Sequence, residues 1–259
     1  MSALRLDRPP LQLPDLPGYG DEIWGTLLEL ADAKSRDWTL IGGQVVLLHA
    51  LEHDAEPTRL STDLDILVNA RVVAGAVRDF VRTLESLGFS LAGSSPDVIA
   101  HRYERGRASA DVLAPEGLGR RADLTTTPPG RTIQVPAGTQ ALARTELLPV
   151  EYAGTSGFVP RPSLLGAIIC KAAAVAVDDA PNAQRLDLAV LLSLVTDPAA
   201  MARQLTRKDR SRLQGVVGMA DPDHEVWSHL EPSVADRARL AMVSLVGEPS
   251  LDQDSAVEG

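Results

Sequence analysis

The stretch Asp63-Leu64-Asp65-Ile66-Leu67-Val68 constrains the chain more than any other. It reads as a β-strand, and in a strand residues two apart share a face. Asp63 and Asp65 therefore point one way, while Leu64 and Ile66 point the other way into a core. Two ionised carboxylates on one face repel, and a divalent cation is the usual compensation. A few hard oxygen ligands suit Mg²⁺, which keeps several waters and completes its shell from substrate phosphates. The plain alternative is a solvated edge strand carrying two surface aspartates.

The neighbourhood sharpens the choice. Trp38 to Ile41 reads as a short strand running into Gly42-Gly43, followed by the apolar helix "QVVLLHAL". Glycines between a strand and a helix let backbone N–H groups approach a phosphate at the helix N-terminus, although a Gly-Gly pair is also an ordinary tight turn. Further on, Asp111 in "ASADVLA" sits on a strand that could lie beside the first two carboxylates.

A second constraint lies in Ser163 to Val177, "SLLGAIICKAAAVAV", which is apolar on every side except at Lys171. A helix hydrophobic all round is a buried helix, and lysines are almost never fully buried without a partner. Lys171 therefore either snorkels to water along its stem or reaches into a polar pocket. Asp187 lies at the start of the next helix, where the helix dipole alone would favour a carboxylate.

Around these features the chain divides by composition. Residues 1–20 are Pro-rich and read as an extended arm. Residues 21–155 alternate helix and strand signals. Residues 156–246 are helical almost throughout, and 247–259 form a polar, acidic tail expected to be disordered. The 259 residues are 44% hydrophobic, enough for real cores. No apolar run approaches a membrane span of roughly 18–20 residues. The single cysteine, Cys170, excludes an internal disulfide and fits a reducing compartment, so a cytoplasmic protein without membrane contact is expected. The five histidines show no metal-ligand spacing. A net charge of -10 argues against broad nucleic-acid binding. Two local clusters could still supply a basic surface: Arg203, Arg207, Lys208, Arg210 and Arg212, and Arg102, Arg105, Arg107, Arg120, Arg121 and Arg131. Each is equally readable as a solvated face.

The run "GGQVVLLHALEHDAEPTRLSTDLDI" followed by "SADVL" resembles the nucleotidyltransferase superfold. More narrowly, Arg59-x-Ser61-x-Asp63-Leu64-Asp65, with "VPRPSLLGAIICKAAA" and "QRLDLAVLLSL" downstream, resembles the AbiEii/MenT-type toxin nucleotidyltransferases of bacterial toxin–antitoxin systems. Aminoglycoside and lincosamide nucleotidyltransferases share part of the pattern.

The resemblance implies an α+β fold, with an N-terminal nucleotidyltransferase-fold mixed sheet and helices followed by a mainly α-helical C-terminal domain. It implies transfer of a nucleoside monophosphate from an NTP to an acceptor hydroxyl, with Mg²⁺ or Mn²⁺ as cofactor. Asp63, Asp65 and Asp111 would be the metal and catalytic carboxylates. Gly42, Gly43, Arg59, Ser61, Thr62 and Lys171 would contact the nucleotide, and Asp187 would join Lys171 in catalysis. Many family members carry Gly-Ser at the turn; here it is Gly-Gly, so the hydroxyl role would pass to Ser61 or Thr62. The toxin branch implies the tRNA 3′ end as acceptor and a cognate antitoxin as partner. A small-molecule nucleotidyltransferase and a catalytically degenerate nucleotide-binding module are the alternatives.

Overall fold

A computed structural model of the chain describes residues 3–15, 20–55, 61–119 and 122–247. Arg59, Arg120, Arg121 and residues 248–259 lie outside these.

In chain order, β1 (Leu4–Arg5) and β2 (Leu11–Gln12) precede α1 (Gly20–Ala33), β3 (Trp38–Ile41), α2 (Gly42–Glu52) and β4 (Asp63–Val68). Then come α3 (Ala76–Ser86), β5 (Ser90–Leu91), β6 (Arg102–Arg105), β7 (Ala108–Pro115) and β8 (Gln134–Val135). After α4 (Gly138–Ala143), β9 (Thr145–Tyr152) and β10 (Thr155–Pro162), the chain turns helical. It continues as α5 (Leu164–Ala174), α6 (Pro181–Ser193), α7 (Pro198–Arg203), α8 (Arg207–Gln214) and α9 (Pro232–Val246). The architecture is α+β with mixed sheets, as expected.

The larger sheet runs β3-β4-β7-β6-β5, with β8 also pairing β7. The β4–β7 pair is parallel, while β3–β4 and β6–β7 are antiparallel. The apolar alternation works as the sequence demands: Leu64, Ile66, Ala110 and Val112 are fully buried on one face, which leaves the other face for polar groups. α3 begins at Ala76, later than its apolar pattern suggests, because Gly75 enters the left-handed region at φ 71° and ends the preceding turn.

The smaller sheet was not legible in advance. β9 and β10 form an antiparallel hairpin turning at Ala153 and Gly154, both at positive φ, the geometry of a tight two-residue hairpin turn. Prolines at 149, 160 and 162 argue against strands, because each removes a ladder donor. The expected arm is laid on this hairpin: β1 and β2 both pair parallel to β9, Leu4 with Glu146 and Leu11 with Val150. The hairpin spans the sequence boundary near 155, and a continuous set of buried side chains runs from Leu13 and Ile23 through Ile168 to Leu245.

α5 is buried as its composition requires, with the Ser163 hydroxyl accepting the Gly166 N–H at its start. It packs against α6, α4, α8 and α2. This contact with α2 brings the helical half up to the Gly-Gly turn. No helix among the described residues is long and apolar enough to cross a membrane.

Candidate active site

The strand register assembles a row of four side chains. Ile41 of β3 is paired with Asp65 of β4, Asp65 with Asp111 of β7, and Asp111 with Arg102 of β6. One step along, Asp63 is paired with Ser109. Direct cross-strand partners on one face lie within side-chain contact of each other. Asp63, Asp65 and Asp111 are thus brought to one patch of the sheet.

The Gly-Gly turn closes over that patch. Gly42 follows Ile41 directly, begins α2, and has φ +76°. A Cβ there would stand 1.8 Å from Asp65 Oδ2. The carboxylate lies against the bare backbone at the start of α2, whose first-turn N–H groups have no intrahelical partners. Burial pushes the Asp65 carboxyl up to about 7; Asp111 adds to the rise, Lys171 opposes it, Asp63 adds again, and Arg102 opposes.

Asp111 is not free. Arg102 Nε donates to its Oδ1 at 2.9 Å and Nη2 to its Oδ2 at 2.8 Å, and the same Nη2 reaches Asp63 Oδ2 at 3.2 Å. This forked pair is the strong form of a charge-assisted bond. The hydrogen bond to Asp111 pushes the guanidinium pKa further up, so its charge is permanent. His101 Nε2 lies 4.0 Å from Asp111 Oδ2. Among the described residues, no three His, Cys, Asp or Glu side chains are grouped to hold a metal ion as they stand. Arg102 lies between Asp111 and Asp63, bonded to both.

Lys171 takes the polar-pocket option. Only 5% of it is exposed. Its Nζ lies 2.7 Å from Asp187 Oδ2 and donates to Gln184 Oε1 at 2.8 Å. Gln184 in turn donates to Asp178 Oδ2 at 2.7 Å. Ile41, Gly42, Val45, Cys170 and Lys171 line one small crevice, which places the lysine beside the turn. Cys170 has its thiol pushed up to about 12 by burial, so it stays protonated.

The remaining expected residues are placed less tightly. Ser61 is half-buried, its hydroxyl donating to the Asp63 carbonyl at 3.5 Å, and Thr62 is exposed. Four residues were missed by sequence reading: Arg102, Ser109, Gln184 and Gln44. Gln44 is fully buried; its Nε2 donates to the Ser61 carbonyl at 2.7 Å. The Gln44 Oε1 and the Ser109 hydroxyl are buried with no hydrogen-bond partner among the described residues, a cost usually met by water or a ligand. Of the basic residues expected around Asp111, Arg105 pairs with Glu29 and Arg107 with Glu22. In the other cluster, Arg207, Lys208 and Arg210 are exposed on α8.

No protein-family model and no curated protein matches the chain. Among solved structures, it is similar to the crystal structure of an antigenic nucleotidyltransferase-like protein from Paracoccidioides brasiliensis. The identity is 12%, the match covers 83% of this chain and 91% of that one, and the TM-score is 0.45. So distant a likeness says nothing of chemistry, which rests on the chain's own side chains.

Proposed function

We propose that this chain is a nucleotidyltransferase, moving a nucleoside monophosphate from an NTP to an acceptor hydroxyl with release of pyrophosphate. The observation that carries the reading is the meeting of Asp63, Asp65 and Asp111 beneath the Gly42 turn and the N-terminus of α2. Such transfer is mostly positioning and charge neutralisation. The start of α2 offers backbone N–H groups to phosphate oxygens. Lys171, held by Asp187 and Gln184, stands beside the same turn. The Ser109 hydroxyl and Gln44 carbonyl, without a partner among the described residues, leave polar capacity for substrate.

Mg²⁺ or Mn²⁺ fits Asp63 and Asp65 by donor chemistry: two hard carboxylates on one strand face, with Asp65 pushed up to about 7 by burial and by its acidic neighbours. Bound there, the ion would supply charge neutralisation to the triphosphate.

The finer reading is a toxin acting on the tRNA 3′ end and opposed by an antitoxin. It is supported by the sequence resemblance and by the exposed Arg207, Lys208 and Arg210 on α8, which packs against the helix carrying Lys171. A binding-only module has one observation in its favour, the fork of Arg102 on Asp111.

The test is incubation of tRNA with each α-labelled NTP and wild type, Asp63→Ala or Asp65→Ala protein. Transfer by the wild type, lost in both variants with circular dichroism unchanged, is the expected result. Label transfer that survives either substitution rules the site out. NTP binding without transfer to any acceptor supports the binding-only module. Growth arrest by wild type but not by Asp65→Ala protein tests the toxin role.

A further inference from the structure

The site described above has one member that the reaction does not explain. Arg102 comes from a neighbouring hairpin strand and enters the face that the carboxylates share. Its position is set by backbone register: Arg102 and Asp111 are direct partners in the β6–β7 hairpin. Two parallel N–H···O bonds fix the guanidinium plane on Asp111, at 2.9 and 2.8 Å, and a third at 3.2 Å ties it to Asp63. The Asp111 side chain is only 9% exposed, so water competes weakly for it.

The charges lead to a simple count. With Asp63, Asp65 and Asp111 all ionised, the Arg102 guanidinium leaves two negative charges on the patch. Lys171 is already matched by Asp187. Two negative charges balance one divalent ion; a pair of such ions needs the third carboxylate unclaimed. Two-ion sites for displacement at phosphorus hold their ions roughly 3.5–4 Å apart with shared oxygens, and here one oxygen of Asp63 and one of Asp111 are bridged by an arginine.

We propose that Arg102 is the resident cation of the site: bridging Asp111 and Asp63, it stands where a second divalent ion would bind, so that the chain takes a single divalent ion, on Asp63 and Asp65. Asp111 then holds Arg102 in place and is not a metal ligand. Arg102 is left with N–H groups to offer the transferred phosphate, because a guanidinium carries five donors and the bonds to Asp111 and Asp63 do not exhaust them. This rests on the nucleotidyltransferase reading for its substrate but not for its test, which reads metal binding alone.

The experiment is titration of Mn²⁺ into the full chain at pH 8, counting free ion by electron paramagnetic resonance. Wild type binds one equivalent. Asp111→Asn keeps the affinity within about 3-fold, whereas Asp63→Asn and Asp65→Asn each lose at least about 10-fold. Arg102→Gln gains a second equivalent. Wild type binding two equivalents or none overturns the proposal, as does a 10-fold loss in Asp111→Asn or a count of one in a folded Arg102→Gln variant. If Arg102→Gln does not fold, the isosteric Asp111→Asn comparison still decides. Two ions with intact nucleotidyl transfer defeat this inference and leave the proposed function standing. One ion with no transfer to any acceptor does the reverse.

Discussion

Gly42 is side-chainless where Asp65 needs the room: a Cβ at position 42 would overlap Asp65 Oδ2 at 1.8 Å. The helix start and the carboxylate therefore fit together only with glycine. Gly42→Ala combines this overlap with a left-handed φ of +76°, and is expected to cost about 2 kcal/mol or more. Nucleotide binding should fall with it. Shortening the opposing residue in Gly42→Ala/Asp65→Gly should recover much of the stability but none of the transfer, leaving a residual cost of about 1–2 kcal/mol for the backbone. Urea denaturation of the two variants measures both effects.

Lys171 and Asp187 are 2.7 Å apart and both nearly inaccessible. Removing one leaves the other charged in a site of low polarisability, so Lys171→Met and Asp187→Leu should each cost about 3–5 kcal/mol. The double variant should cost far less than their sum, since no charge is stranded. A double-mutant cycle by chemical denaturation reads the coupling. Additive losses would show that the two groups do not depend on each other.

The pH dependence of stability should carry the mark of His49. Its imidazole is buried and held well below 6.5, first by burial and then by the charge of Arg161, against a hydrogen bond to the Pro162 carbonyl. The unfolded chain takes up a proton near pH 6.5 that the folded one refuses. Unfolding then binds protons, and stability falls as pH drops below about 6.5, by up to about 1.4 kcal/mol per pH unit. Asp65, its carboxyl raised to about 7, works the other way over the same range, so the mark of His49 is the difference between profiles: from pH 7.5 to 5 the melting temperature of His49→Gln should rise relative to wild type. Parallel profiles would remove His49 as the cause.

If tRNA is the acceptor, Arg207, Lys208 and Arg210 are the exposed charges available to its backbone. Replacing all three with Ala should weaken tRNA binding and reduce the slope of log affinity against log salt by about 2. An unchanged slope would place the RNA elsewhere.

Much of the site could be read from the chain because strand alternation is strict. It put Asp63 and Asp65 together, and the all-apolar surroundings of Lys171 required a partner. Arg102 escaped because it was grouped with nearby arginines by composition. The signal was nonetheless present: counting outward from the two-residue turn Gly106-Arg107 sets Arg102 opposite Asp111. The β9–β10 hairpin escaped for a different reason. Its prolines mimic a loop, and its turn uses Ala153, at φ 48°, where Asn or Asp would have announced it. The two-dimensional register of a sheet is carried by distant pairings such as Asp65 with Asp111, which local periodicity does not encode.

The arm has a consequence for how the chain reaches its native state. Leu4 and Leu11 find their partners only at Glu146 and Val150, and pairings that distant are slow to close because a long loop must be ordered first. On the ribosome, those early residues emerge and remain unmatched while more than half of the polypeptide is still being made. They can pair only after β9 has been made, so the arm closes onto the edge of a strand that must already be in place.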